Sequence, residues 1–147
     1  MLVAMNRTCQ ECLARDVKQT DGPYHCPECN FEVMISKSGT KHHHFSHIAS
    51  FDCPHGWGET SVHREAKYGL FDALKGHPRV SKLALERLIE VKGARVRPDI
   101  RFAIDRKHYV GIEIHRDPVD VREVTKRTEY YTRMGVAVLW VIPWRKG

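Results

Sequence analysis

The chain has 147 residues, a formal charge of +6 with ten histidines in reserve, and a 41% hydrophobic composition. That length holds one core of ordinary size, and no apolar run approaches the roughly 18 residues of a membrane-spanning helix, so membrane association is not expected. Five cysteines, an odd number, fit oxidised pairing poorly, and Met1 to Met5 is too short for an apolar targeting core, so a reducing cytoplasm is expected.

Two dyads, Cys9-Gln10-Glu11-Cys12 and Cys26-Pro27-Glu28-Cys29, have the C-x2-C spacing that lets two thiolates hold one tetrahedral Zn²⁺. Histidines follow at His42, His43, His44 and His47. Pairing the second dyad with His44-Phe45-Ser46-His47 favours Cys26, Cys29, His44 and His47 as ligands, although His43 stands at the more familiar finger spacing from His47. The two dyads could instead build a four-thiolate site, and Cys53 with His55 could join Cys9 and Cys12 at a second ion. For Cys53 a small buried hydrophobe is the plainer expectation. Short in apolar periodicity, residues 1–55 are expected to form a zinc-binding module that relies on its metal for folding. The stretch 52–58 is the expected boundary, with Phe45, Phe51 and Trp57 as candidates for the junction.

Glu59 to Lys75 has helical spacing, with Val62, Ala66, Leu70, Ala73 and Leu74 on one side and Gly76-His77-Pro78 as its stop. Glu59 falls near the centre of that apolar stripe, His63 one turn on and Lys67 at its margin. A carboxylate there either caps the helix or faces a cation, because acids are seldom buried without a partner.

Lys82 to Val91 alternates as a strand, and Lys92-Gly93-Ala94 turns it into the next. From Val96 to Ile104 the apolar side chains fall on Pro98, Ile100, Phe102 and Ile104, so Asp99 points to the opposite face. Asp105-Arg106-Lys107 makes a hairpin into Tyr109 to His115, where Glu113 and His115 share a face. Asp99 and Glu113 could then converge on a hard cation with oxygen ligands; without one, they merely wet the outside of a hairpin. Asp117-Pro118 opens a second helix with the stripe Val121, Val124, Thr128 and Tyr131 up to Gly135. Val136 to Ile142 reads as a buried strand, parallel to the Glu113 strand because a helix crosses between them.

Helix, three-strand meander, helix and parallel strand, with an acid on the first helix, Pro-Asp on one strand and Glu-x-His on the next, resembles the PD-(D/E)XK nuclease core. The segments His44-Phe45-Ser46-His47, Glu59-Thr60-Ser61-Val62-His63 with Lys67, Pro98-Asp99, Glu113-Ile114-His115, and Arg127-Thr128-Glu129-Tyr130-Tyr131 followed by Trp140 are similar to the competence protein CoiA-like family in particular. The resemblance implies an α+β, restriction-endonuclease-like core over residues 56–147. It implies that Asp99 and Glu113 bind a catalytic Mg²⁺ or Mn²⁺ and that Glu59 completes the site, directly or through a water. Arg127 and Tyr131 resemble a Gln-x-x-x-Tyr element and would orient phosphate or the site acids; a surface ion pair and a core aromatic are the plainer reading. His115 departs from the pattern, standing where the superfamily has Lys and CoiA-like proteins commonly have Gln.

Phosphodiester hydrolysis needs a polarising cation, an activated water and charge to stabilise the transition state. A lysine offers fixed charge; an imidazole offers it only when neighbouring carboxylates favour the imidazolium. His115 is therefore expected to orient water or stabilise charge, with Lys67 on the first helix as an alternative source and a lost activity as a third outcome. Arg95, Arg97, Arg101, Arg106, Lys107, Arg116, Arg122, Lys126, Arg127 and Arg133 crowd the half that carries the acids and suit phosphates. The expectation is a zinc-stabilised nuclease acting on DNA, in uptake, recombination or repair, with His63 auxiliary to its site. A non-catalytic zinc-containing DNA-binding module with a degenerate site is the alternative, and an RNA-directed enzyme a third. Single-stranded, duplex and branched DNA stay undivided, as do endonuclease and exonuclease, monomer and homodimer.

Overall fold

The structure, a computed structural model, describes residues 1–37, 42–49, 53, 55, 59–91, 93–115 and 119–142. It divides into two compact units, Met1–Glu65 and Ala66–Gly147.

The first unit is built on strands that sequence periodicity did not announce. β1 (Val3–Met5), β2 (Glu11–Leu13), β3 (Tyr24–His25), β4 (Glu32–Ser36) and β5 (His44–His47) form one sheet in the order β2-β1-β3-β4-β5. Each neighbouring pair is antiparallel. Strands this short show too little of a period-two pattern to be read from sequence. Their inward residues still assemble a core: Ala4, Tyr24, Cys26, Val33, Phe45 and Cys53 are buried together. The Tyr24 and Phe45 rings lie 5.1 Å apart, and the Tyr24 hydroxyl donates to the Lys18 carbonyl at 2.6 Å, satisfying its polar end. Phe45 is thus committed to this core. Phe51, Trp57 and most of 52–58 lie outside the described residues.

Helix α1 (Ser61–Leu74) contains the division between the units. Thr60, not Glu59, caps it, its hydroxyl accepting from the His63 amide at 3.2 Å. The expected apolar stripe is not the face the helix buries: Val62 is 71% exposed, while Arg64, Lys67 and Tyr68 are buried. Charged side chains can take those positions because they find partners there, Arg64 on the Glu59 carbonyl and Lys67 on two carboxylates.

In the second unit β6 (Val80–Leu85), β9 (Ile100–Ile104), β10 (His108–Ile114) and β11 (Ala137–Val141) form a sheet of order β11-β10-β9-β6. β6/β9 and β9/β10 are antiparallel, and β10/β11 is parallel across helix α2 (Val121–Arg133). Helix, antiparallel strands, helix and parallel strand follow one another as the sequence predicts, and the whole is a mixed α+β arrangement.

Three local expectations fail. The single strand over 82–91 is broken, because β7 (Ile89–Val91) leaves β6 to pair with β8 (Ala94–Val96) as a separate hairpin. Lys82 at φ 52° and Glu86 at φ 49° interrupt the extended backbone, and the register of β6 on β9 shifts between Ser81 and Ala84. β11 is an edge strand rather than a buried one, with Leu139 54% exposed, so its apolar run does not signify two covered faces. Helix α2 begins at the Asp120 cap, whose carboxylate accepts from the Arg122 and Glu123 amides. Val121, expected in its stripe, is 70% exposed, and Tyr131 is the side chain that anchors the helix. Arg116, Asp117 and Pro118 lie outside the described residues, and among those described no helix is long and apolar enough to cross a membrane.

Candidate functional site

In the first unit the turn after β3 folds Cys26-Pro27-Glu28-Cys29 into a tight loop. The Asn30 amide donates to the Cys26 carbonyl at 2.9 Å, and the Glu28 amide points at Cys26 Sγ at 3.4 Å. Asn30 takes φ 60°, a left-handed value that asparagine tolerates, and so returns the chain into β4. Cys53 Sγ lies 3.9 Å from Cys26 Sγ, and His47 Nε2 lies 3.2 Å from Cys29 Sγ. All four ligand atoms fall within 4.8 Å of one another. A tetrahedron with bonds of about 2.3 Å to sulfur and about 2.0 Å to nitrogen has edges of roughly 3.5–3.8 Å, so the cluster fits zinc.

The electrostatics agree. Burial pushes the Cys26 thiol up to about 12 and raises Cys53 as well. For Cys29 burial acts upward too, but the hydrogen bond at the Phe31 backbone and those from Cys53 and Cys26 bring it below its usual value. Burial, with His55 and the N-terminal ammonium behind it, lowers His47 and keeps a neutral ring ready to ligate. Buried thiols that resist ionising alone suit a cation that takes them as thiolates.

The cluster shares Cys26, Cys29 and His47 with the expected ligand set, but Cys53 stands where His44 had been placed. His44 and His47 are three apart on one strand, so they project from opposite faces and cannot both turn to one ion. His44 instead has a buried Nδ1 without a hydrogen bond, and burial, then Arg64 and the N-terminal ammonium, depress it to about 4. His43 is half-buried just before β5. Cys9 is exposed, and the Cys12 thiol donates to the Ala4 carbonyl at 3.3 Å. Glu59 pairs with the N-terminal ammonium at 2.9 Å and with His63 Nδ1 at 3.6 Å, so the cation that it faces is an ammonium of its own unit.

The second unit gathers a different set. The β9/β10 register ends at Ile100 opposite Ile112, so Asp99 comes just before β9 and Glu113 follows Ile112 on β10. Asp99 Oδ2 accepts from the Ile114 amide at 2.8 Å, which fixes the carboxylate. Its Oδ1 lies 3.3 Å from Lys67 Nζ, and the same ammonium lies 2.6 Å from Glu86 Oε1. Arg127 and Tyr131, one turn apart on α2, both donate to Glu113 Oε1, Tyr131 at 2.5 Å. Oε2 takes neither. Burial raises the Glu113 carboxyl above its ordinary value, more than Arg127 and Tyr131 lower it, with Asp99 adding to the rise. Gly111 makes room for this packing: a Cβ there would stand 3.0 Å from Tyr131 Cε1 and 3.1 Å from Pro98 Cβ.

Residues 59–146 match the family model for the competence protein CoiA, nuclease-like domain. The chain belongs to that family. No curated protein and no solved structure matches it.

The CoiA nuclease-like domain of this chain thus holds two side-chain groups, Lys67 with Glu86 and Asp99, and Arg127 and Tyr131 with Glu113, which come together where Asp99 accepts from the Ile114 amide. His115 follows β10, donates its amide to the Val141 carbonyl at 2.8 Å, and has its ring 6.1 Å from Trp140. Glu86 was not singled out from the sequence. Its signal was faint, an acid directly after the apolar Leu83-Ala84-Leu85, and the left-handed backbone that turns it inward carries no sequence mark. Several basic residues near the acids have internal partners: Arg97 holds the Glu86 carbonyl, Arg101 the Leu88 carbonyl, and Arg127 Glu113. Arg106, Lys107, Arg122 and Lys126 are exposed.

Proposed function

We propose that the domain is a metal-dependent nuclease hydrolysing DNA phosphodiester bonds on a restriction-endonuclease-like core, with residues 1–55 as a zinc-stabilised module. The observation that carries this reading is the Asp99 carboxylate hydrogen-bonded to the Ile114 amide, next to Glu113 on β10, with the Lys67 ammonium 3.3 Å from Asp99. The donor set fits a hard cation: both acids offer oxygen, and Glu113 keeps Oε2 clear of its two donors. Asp99 and Glu113 would hold Mg²⁺ or Mn²⁺, which supplies a polarised phosphate and a more acidic water.

The remaining chemistry belongs to the chain. Lys67 brings the fixed positive charge that a lysine at position 115 would otherwise bring, and it is buried where that charge is felt strongly. Arg127 and Tyr131 orient Glu113 through Oε1. His115, beside Trp140, is assigned to substrate or water positioning rather than to charge. Glu59 is left to the first unit, where the N-terminal ammonium holds it. Exposed Arg106, Lys107, Arg122 and Lys126 offer counter-charge to phosphates. The proposal includes a role in DNA uptake, recombination or repair, with the match to a competence protein family as its support.

The test is cleavage of single-stranded, duplex and branched DNA and of RNA, with Mg²⁺ or Mn²⁺ and with EDTA, beside Asp99→Asn. The expected outcome is metal-dependent DNA cleavage that Asp99→Asn lowers by about 10³-fold, the scale of losing a preorganised electrostatic group. Tight DNA binding without cleavage in either metal would replace the reading with a binding module, and preference for RNA would move the substrate class.

A further inference from the structure

We infer that Glu86 is a positioning residue of this site, whose task is to draw Lys67 toward itself and so to ease the turn of Asp99 to the metal. The inference rests on the nuclease reading above. Glu86 is buried, and its carboxylate meets Lys67 Nζ at 2.6 Å, against 3.3 Å for Asp99 Oδ1. The ammonium is shared, and the closer share belongs to Glu86.

The backbone is arranged for this. Glu86 leaves β6 at φ 49°, its amide donates to the Asp99 carbonyl at 2.9 Å, and its own carbonyl accepts from Arg97 Nη1 at 2.9 Å. Those two bonds tie Glu86 to the segment that carries Asp99, so the two carboxylates keep a fixed relation to one ammonium. A left-handed conformation costs about 1 kcal/mol or more for a residue with a Cβ, and this position tolerates it where a continued strand would have turned Glu86 away.

The electrostatic consequence is specific. A buried lysine facing Asp99 alone would form a closed ion pair, and a divalent cation would have to break it before using that carboxylate. With Glu86 present, Lys67 keeps a carboxylate partner when Asp99 turns to a metal. Lys67 then remains charged beside the reacting phosphate. Glu86 thus sets how readily the site loads, while Lys67 and the acids act on the substrate.

The test is Mn²⁺ binding by the full, zinc-loaded chain without nucleic acid, followed by calorimetry and by electron paramagnetic resonance of free Mn²⁺. The unaltered chain is expected to bind one Mn²⁺ that Asp99→Asn loses. Glu86→Gln is expected to weaken that binding about tenfold, or about 1.4 kcal/mol, and Glu86→Asp, which keeps the charge, to weaken it less. The double variant Lys67→Met/Glu86→Gln is expected to recover most of the affinity, because the Lys67 ammonium can no longer close on Asp99; a purely architectural Glu86 would leave the double no better than the single. Should Glu86→Gln not fold, Glu86→Asp and the double variant carry the same comparison. Mn²⁺ uptake that is unchanged in Glu86→Gln, or not recovered in the double variant, overturns this inference alone, whereas no uptake by the unaltered chain overturns the nuclease reading and the inference with it.

Discussion

The two units solve the problem of gathering reactive groups in opposite ways. In the first, three thiols and an imidazole are drawn within 4.8 Å of one another with no opposite charge among them. In the second, three carboxylates are interleaved with an ammonium, a guanidinium and a phenol, so each acid has a partner supplied by the chain. The first cluster has reason to exist only when a cation completes it. The second can fold with no such cation, and the metal proposed for it would have to free a carboxylate from its partner.

The sharpest way to break this contrast is to remove zinc. Cys26→Ser or Cys53→Ser, or chelation of the unaltered chain, is expected to take zinc content from one ion per chain to none and to unfold the first unit, since structural zinc contributes an apparent ~10–16 kcal/mol to small domains. Backbone amide exchange in β3 to β5 should rise to the unprotected limit, while β9 and β10 keep their protection. Cys9→Ser and His44→Ala should keep the zinc. If β9 and β10 lose protection together with β3 to β5, the units do not differ in the way their clusters suggest.

The second unit has its own weak point in Lys67. Lys67→Met removes the ammonium that the buried Glu86 and the half-buried Asp99 share, a loss expected to cost about 3–5 kcal/mol. The expected signature in denaturant is a lower midpoint for the second unit with the first unit's transition in place. A variant as stable as the parent would mean that the pair contributes nothing to the fold.

Legibility followed the same division. The second unit could be read because its strands are long enough to alternate: Ile100, Phe102, Val110 and Ile112 mark one face, and Glu113, although buried, falls on the other. The crossover helix then required a parallel last strand. What escaped was Glu86, because a left-handed residue after a strand leaves no mark in composition, and the buried face of α1, because Arg64 carries no apolar signal and Lys67 falls only at the margin of the stripe. In the first unit Cys26, Cys29 and His47 of the expected set lie in the cluster, but its fourth member depends on tertiary structure. Cys53 comes from far along the chain, and strand alternation, invisible before β5 was known, separates His44 from His47.

Gly111 tests how tightly the nuclease network is packed. Gly111→Ala places a Cβ about 3 Å from Tyr131 and Pro98, and an overpacked site of this kind is expected to lose ~1–3 kcal/mol. The hydroxyl of Tyr131 would also be displaced from Glu113, so the variant should lose activity beyond its loss of stability. Activity at parental level with lowered stability would show that Tyr131 serves packing alone.

The smallest effect expected is also the one whose sign says most. Burial is the largest influence on the Glu113 carboxyl and raises it above its ordinary value despite Arg127 and Tyr131. The folded chain therefore holds this proton more tightly than the unfolded chain does. Stability from that proton is fully present below the ordinary carboxyl value of about 4.3 and is lost as pH rises through the higher folded value. Once ionised, Glu113 is thus a net cost to the second unit. Glu113→Gln keeps an oxygen for Arg127 and Tyr131 without the buried charge, so its midpoint at pH 7 is expected to exceed the parent's by about 3–5 °C, with the gain shrinking as pH falls through the carboxyl range. Calorimetry across pH 4–8 decides it. A lower midpoint for Glu113→Gln at pH 7 would mean that the Arg127 ion pair outweighs desolvation. A higher one means that the domain keeps a carboxylate which destabilises it, and the cation chemistry proposed for Glu113 gives the reason.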